Sequence, residues 1–235
     1  ADFLASQSAY GSDWHLAEVA RREAKQLIDI DEDLIAGKME DTSGWTVLFE
    51  DDFDSGIDEP WSLTSGQWEE SDGIASGTLF NGIARLDLES PQLPTTFELQ
   101  YETWTSDPMT AACTLLNRDH AKQSGVQRFA MSSHPDRLLR NQMQPATGVS
   151  LMTDTDFGKW FPQTNPDFTV EPGMRYQVRI LRQPTRITVW VNDAQVLSSR
   201  VRKTYGPTLR FYCEGVKGAK VYLDNIKLRV PPAKS

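Results

Sequence analysis

The chain has 235 residues, enough for one large domain or a medium domain with an appendage, and its 39% apolar content, with seven Trp and ten Phe, is ample for a packed core. Ordinary Gly and Pro counts exclude collagen-like and low-complexity chains. A formal charge of −9 argues against a nucleic-acid binder, which needs clustered Lys and Arg for phosphate, and no stretch approaches the ~20 apolar residues of a membrane-spanning helix.

Residues 12–36, "SDWHLAEVARREAKQLIDIDEDLIA", are predicted to be helical. Leu16, Ala20, Ala24 and Leu27 recur at helical spacing, and Val19, Ile30 and Leu34 widen the apolar stripe. Ser12 or Asp13 caps the start, Gly37 ends it, and Asp29 to Asp33 is a candidate break. The acidic run has Asp29, Asp31, Asp33 and Glu40 at the side-chain spacing of a calcium-binding helix–loop–helix. Leu34, however, stands where that loop needs Gly, so a solvated helix face is the better reading. Residues 1–44 are therefore expected to be a helical extension, and 45–235 a separate β domain.

From Trp45 the pattern changes to short runs of period two separated by turn residues. "TVLFEDDF" comes first, and "QWEESDGIASG" reads as a hairpin turning at Asp72-Gly73. "GIARLDLES" precedes "TTFELQYETWT", which puts Phe97, Leu99 and Tyr101 on one face and Glu98, Gln100, Glu102 and Trp104 on the other. "AACTLLNRD" and "GVQRFAMSS" read as a pair joined by a polar turn, and residues 135–167 as a long irregular segment. "MRYQVRILR", "TRITVWVND", "AQVLSS", "TLRFYCEG" and "KVYLDNIKLRV" complete the series. The basic residues among them alternate with apolar ones, as on the solvated face of a strand. Many short strands with no intervening helices predict a mainly β fold: a two-sheet antiparallel β-sandwich, or jelly roll, with an N-terminal helical segment.

Three local stretches sharpen this expectation. "VLFEDDFDSGIDEPW" opens the β region with an acidic–aromatic pattern before a turn and a Trp, "RITVWVNDAQVL" is a hairpin turning at Asn-Asp, and "VYLDNIKLRV" closes it. Together they resemble the concanavalin A-like lectin/glucanase superfamily over about four-fifths of the chain, and most closely its 3-keto-disaccharide hydrolase and laminin-G-like members. The resemblance implies a carbohydrate-recognising sandwich, with glycoside cleavage of the 3-keto-disaccharide type as one implied activity and no assignable acid or base. Whether the chain is an enzyme stays open, because one sandwich hosts lectins, hydrolases and inert modules. Family-16 glucanases have a similar opening and closing strand but use an E-apolar-D-x-x-E strand, which this chain lacks. Glu98 and Glu102 share a face, yet four residues along a strand is ~13 Å, too far for a retaining pair.

The resemblance requires no cofactor but suggests a structural calcium ion between first and last strands, with Asp224 of "VYLDNIKL" as ligand. The alternative is that Asp224 and Asn225 satisfy an edge or turn and that Glu50, Asp51, Asp52, Asp54 and Asp58 are solvated. His15, His120 and His134 are scattered without metal-ligand spacing. For sugar binding, which uses aromatic faces and planar polar groups, the candidates are Gln100, Glu102, Trp104, Arg128, His134, Arg140, Trp160 and Trp190. Each Trp has core packing as its plain alternative. Carbohydrate or glycoconjugate is the expected partner. A non-catalytic interaction module, docking onto a larger assembly through residues 12–36 or the long loop, is the competing reading. The chain begins at Ala1 rather than Met, which a cleaved signal peptide, trimming or processing explains. A secreted or periplasmic location follows from the first of these. Cys113 and Cys213 lie in strand-like runs and read equally as a disulfide or as two buried thiols.

Overall fold

A computed structural model describes residues 41–118, 127–132, 148–153, 161–165, 168–201 and 208–232. The helix predicted for 12–36 lies outside them. The described residues form fifteen strands: β1 Thr46–Asp51, β2 Trp61–Ser65, β3 Gln67–Ser71, β4 Ile74–Thr78, β5 Ile83–Leu88, β6 Phe97–Thr105, β7 Ala111–Arg118, β8 Gln127–Ser132, β9 Gly148–Thr153, β10 Phe161–Asn165, β11 Tyr176–Gln183, β12 Arg186–Val191, β13 Ala194–Arg200, β14 Thr208–Glu214 and β15 Lys220–Val230. Sheet A runs β13-β12-β11-β6-β15-β4-β3, with β1 also on β15, and sheet B runs β10-β9-β8-β7-β14-β5-β2. Every pairing is antiparallel.

Alternation sets which face is buried. Phe97, Leu99 and Tyr101 of β6, Val178 and Ile180 of β11, and Val221 and Leu223 of β15 meet Leu86, Phe129, Leu151 and Phe211 of sheet B in one core. Tyr101 stands edge-on to Phe211, ring centroids 5.0 Å apart. Its hydroxyl is 2.6 Å from Thr114 Oγ1, so the two sheets share a buried hydrogen bond. Burial pushes the Tyr101 phenol up and keeps it protonated. Arg182, fully buried, donates from Nε to Gln127 Oε1 at 3.1 Å across the sandwich; its burial pulls the guanidinium down to about 10.

The acidic opener has a structural task. Asp51 Oδ1 accepts the Phe53 N–H, and Oδ2 accepts Trp61 Nε1–H at 2.6 Å. This holds Phe53 at φ 58° with its ring wholly buried, next to Trp61 at 5.8 Å. Pairing β1 with β15, with Asp51 opposite Ile226, brings the first and last strands together.

Three strands were not apparent in sequence. The segment read as irregular at 135–167 contains β9 and β10, paired to each other. In β9 only Val149 and Leu151 alternate inward, too short a signal beside the surrounding polar and proline residues. β2 is a five-residue edge strand with Leu63 exposed, so it lacks a clear apolar face. The Asp72-Gly73 turn joins β3 to β4 as expected, with φ of 55° and 73°.

β15 carries a bulge. Its register against β6 passes from Asp224 opposite Glu102 to Lys227 opposite Gln100, so one extra residue is accommodated. Asn225, at φ 51°, absorbs it. Without the bulge, Tyr222 and Asp224 facing out would force Ile226 and Leu228 out as well; with it, both are buried in the core. Replacing Asn225 with Val should lower stability by roughly 1–2 kcal/mol in urea unfolding, because a β-branched residue resists this conformation, whereas Asn225→Gly should stay near wild type.

Candidate functional site

The outer face of sheet A is built from rows of cross-strand neighbours. In one row Glu98 of β6 lies opposite Leu181 of β11 and Arg229 of β15. Glu98 is 0% exposed. Arg179 donates to its Oε2 at 2.6 Å and Arg229 to its Oε1 at 2.8 Å, and the Thr42 hydroxyl also donates to Oε2, at 2.5 Å. Both oxygens are therefore satisfied by charge-assisted hydrogen bonds. Arg179 also lies over the Trp190 ring at 4.9 Å.

Three rows away, Trp104 of β6 faces Tyr222 of β15. Their rings stack with centroids 4.9 Å apart and planes 9° from parallel, and both are half-buried. Arg175, just before β11, holds its guanidinium 4.6 Å from the Trp104 ring centre. The same guanidinium bridges Glu102, at 2.8 Å from Nε, and Asp224 through Nη2. Glu102 and Asp224 lie directly opposite each other on β6 and β15, so one arginine offsets two adjacent carboxylates. Asp224 Oδ1 also accepts the Asn225 N–H at 2.7 Å. Beyond Tyr222 the row continues to Ser76 of β4 and Glu69 of β3. Lys220 Nζ donates to Glu69 Oε1 at 2.7 Å, which holds the Glu69 carboxyl below its ordinary range. Lys227 pairs with Glu50 at 2.9 Å.

The predicted sugar-binding set is thus divided. Gln100, Glu102 and Trp104 come together on one face with the alternation expected of β6. Trp190 shares that face but is only 3% exposed, so it packs rather than presents a ring. Arg128 lies on the opposite side of the sandwich, on the outer face of sheet B, because β8 belongs to that sheet. His134, Arg140 and Trp160 lie outside the described residues. Sequence reasoning missed Arg175 and Tyr222. Arg175 sits in "MRYQVRILR", where basic residues read as a solvated strand face, and Tyr222 reads as one apolar residue among several in the last strand. Only the pairing of β6 with β15 and β11 brings them to Trp104 and Glu102.

On sheet B, Arg128 Nη2 donates to Cys113 Sγ at 3.0 Å, stands 3.7 Å from Glu214, and stacks over Tyr212 at 5.4 Å. Arg210 grips both carboxylate oxygens of Asp87 on the same sheet. Cys113 and Cys213 are both free and buried. They occupy opposite faces of sheet B, Cys213 in the main core and Cys113 in a small outer cluster with Ala111, Leu115, Ala130 and Tyr212. Burial raises both thiols above their ordinary value.

Asp224, the predicted calcium ligand, already has Arg175 at its carboxylate. Among the described residues no group of three His, Cys, Asp or Glu side chains is placed to hold a metal ion.

No protein-family profile matches the chain, and no curated protein sequence matches it. Solved structures do match it. An endo-1,3-β-glucanase (laminarinase) catalytic domain from Thermotoga petrophila RKU-1 superposes with a TM-score of 0.58 at 11% identity, over 83% of this chain and 100% of that one. A non-specific endo-β-1,3(4)-glucanase of family GH16 gives 0.59 at 9% identity, over 82% of this chain and 93% of that one. The carbohydrate-binding module CBM66 from Bacillus subtilis gives 0.52 at 11% identity, over 72% and 95%. The fold is the two-sheet jelly roll that these glucanases and this carbohydrate-binding module share, as the opening and closing strands suggested.

Two outcomes test this geometry. Glu98→Ala should cost about 3–5 kcal/mol in denaturant unfolding, since it leaves Arg179 and Arg229 without their shared partner. A thiol reagent should find Cys113 and Cys213 unreactive in the native protein and titrate both on unfolding, because buried, protonated thiols are poor nucleophiles.

Proposed function

We propose that the protein binds carbohydrate on the outer face of sheet A. The observation that carries this reading is the half-exposed Trp104–Tyr222 pair set beside Arg175, Glu102, Asp224 and Gln100 on a sheet face. With Tyr222 stacked on one face of Trp104 and Arg175 over its ring, a sugar's C–H groups meet the exposed edges of the aromatic pair, and carboxylate, guanidinium and amide groups within one side chain's reach bond the hydroxyls. Folds shared with glucanases and a carbohydrate-binding module support it. A location outside the cytoplasm, secreted or periplasmic, belongs to this reading.

Binding is favoured over hydrolysis by the state of the carboxylates. Glycoside cleavage uses one carboxyl as acid and another as base or nucleophile. Here Glu98 is shared by two arginines, Glu102 and Asp224 by one, and Asp87 is gripped by Arg210. Cleavage of the 3-keto-disaccharide type remains the finer activity suggested by sequence resemblance, and release of sugar from 3-keto-glucosides would establish it. Docking through residues 12–36 is the other reading, with co-purification of a fixed partner as its sign. A structural calcium ion at Asp224 has to compete with Arg175 for the carboxylate.

In affinity electrophoresis against a panel of soluble polysaccharides, Trp104→Ala and Tyr222→Ala should each weaken retention at least about tenfold, equivalent to ~1.4 kcal/mol. EDTA should leave retention unchanged. Retention that survives both substitutions would place the sugar elsewhere.

A further inference from the structure

We infer that the glycan bound at Trp104 and Tyr222 is uncharged; this rests on the proposed sugar-binding reading and adds the substrate class. The charges around the platform decide it. Three cations, Arg175, Lys220 and Lys227, stand with four carboxylates, Glu102, Asp224, Glu69 and Glu50. Each of the three cations is engaged by a carboxylate, and Arg175 is engaged by two. Farther along the same face, Arg179 and Arg229 are both bonded to Glu98.

A uronate, sialate or sulfate group needs a cation that can turn to it, and commonly takes a two-pronged grip from Arg. Arg175 is the cation nearest the rings, with its side chain 45% exposed, but its nitrogens already face Glu102 and Asp224. Turning it toward a ligand anion would leave two adjacent carboxylates facing each other across β6 and β15, beside the incoming charge. Around the rings themselves the four carboxylates outnumber the three cations by one, which disfavours an anion at that spot.

The same groups suit hydroxyls. Glu102 Oε2 lies 2.8 Å from Arg175 Nε and is itself buried, while the Glu102 side chain as a whole keeps 23% of its surface exposed, so part of it stays within reach of a ligand. Gln100, one step along β6, supplies an amide with both donor and acceptor. Ser76, between Tyr222 and Glu69 in the row, is the smallest side chain there. Rings, acceptors and a neutral amide fit a polyol ring of a neutral sugar.

The test uses neutral polysaccharides, mixed-linkage β-glucan, xylan, galactomannan and levan, each beside its carboxymethylated derivative. Binding of the full chain and of Trp104→Ala and Glu102→Gln is measured by affinity electrophoresis and calorimetry at low and high salt. Retention of a neutral member that depends on Trp104, with its carboxymethylated form at least about tenfold weaker at low salt, supports the inference. A narrower gap at high salt and in Glu102→Gln, which frees Arg175 from one of its two carboxylates, supports it further. A carboxymethylated form that binds as tightly as its parent, and loses that binding in Trp104→Ala, overturns the inference while leaving the sugar platform standing. If no neutral or charged polysaccharide is retained by the wild type, the platform reading fails and this inference falls with it.

Discussion

The buried carboxylate of Glu98 fixes the arrangement on which everything outward-facing depends. Its two oxygens are divided between Arg179 on β11 and Arg229 on β15, so a single side chain ties the central strand of sheet A to both neighbours. A fully buried charge tolerates no mispairing, because an unmatched carboxylate away from water is strongly disfavoured. A one-residue slip of β6 would bring Leu99 to the arginines and Glu98 into the core. With that register set, Glu102 must face Asp224 and Trp104 must face Tyr222. The proposed sugar platform is a consequence of the pairing that Glu98 secures.

The bulge at Asn225 makes the two demands on β15 compatible. The N-terminal half of the strand supplies Tyr222 and Asp224 to the outer face, and the C-terminal half supplies Lys227 and Arg229 to the same face. An unbroken strand alternates by two and cannot carry both sets outward while burying Ile226 and Leu228. The extra residue restores the phase. It also leaves the backbone turned where Asp224 accepts the Asn225 amide, so the carboxylate beside Arg175 is fixed by its own strand.

Much of this was legible in the chain. The alternation in "TTFELQYETWT" separates Phe97, Leu99 and Tyr101 from Glu98, Gln100, Glu102 and Trp104, and the structure keeps that division, because β6 is buried on one face and its own alternation is unbroken. The end strands carried enough pattern to identify the jelly roll, and the acidic opener is explained by Asp51 holding Trp61 and the Phe53 turn. What stayed hidden depends on partnership between distant segments. Arg128 looked like a neighbour of Trp104 until β8 was seen to lie in the other sheet. Arg175 and Tyr222 carry no local mark of their role, since it arises from the pairing of β11, β6 and β15. The short strands β2, β9 and β10 take their stability from neighbours rather than from a long apolar pattern of their own.

The central claim is that the ligand-binding surface is the outer face of sheet A rather than that of sheet B, where Arg128, Tyr212 and Glu214 form a second polar cluster. The most direct measurement is an NMR titration of the labelled protein with a neutral oligosaccharide, following the Trp indole and backbone N–H signals. Shifts that concentrate on the Trp104 indole, Tyr222, Asp224 and Gln100, with Ala130 and Tyr212 unmoved, are the expected result. Shifts confined to Arg128, Tyr212 and Glu214 would contradict it and move the site to the other sheet.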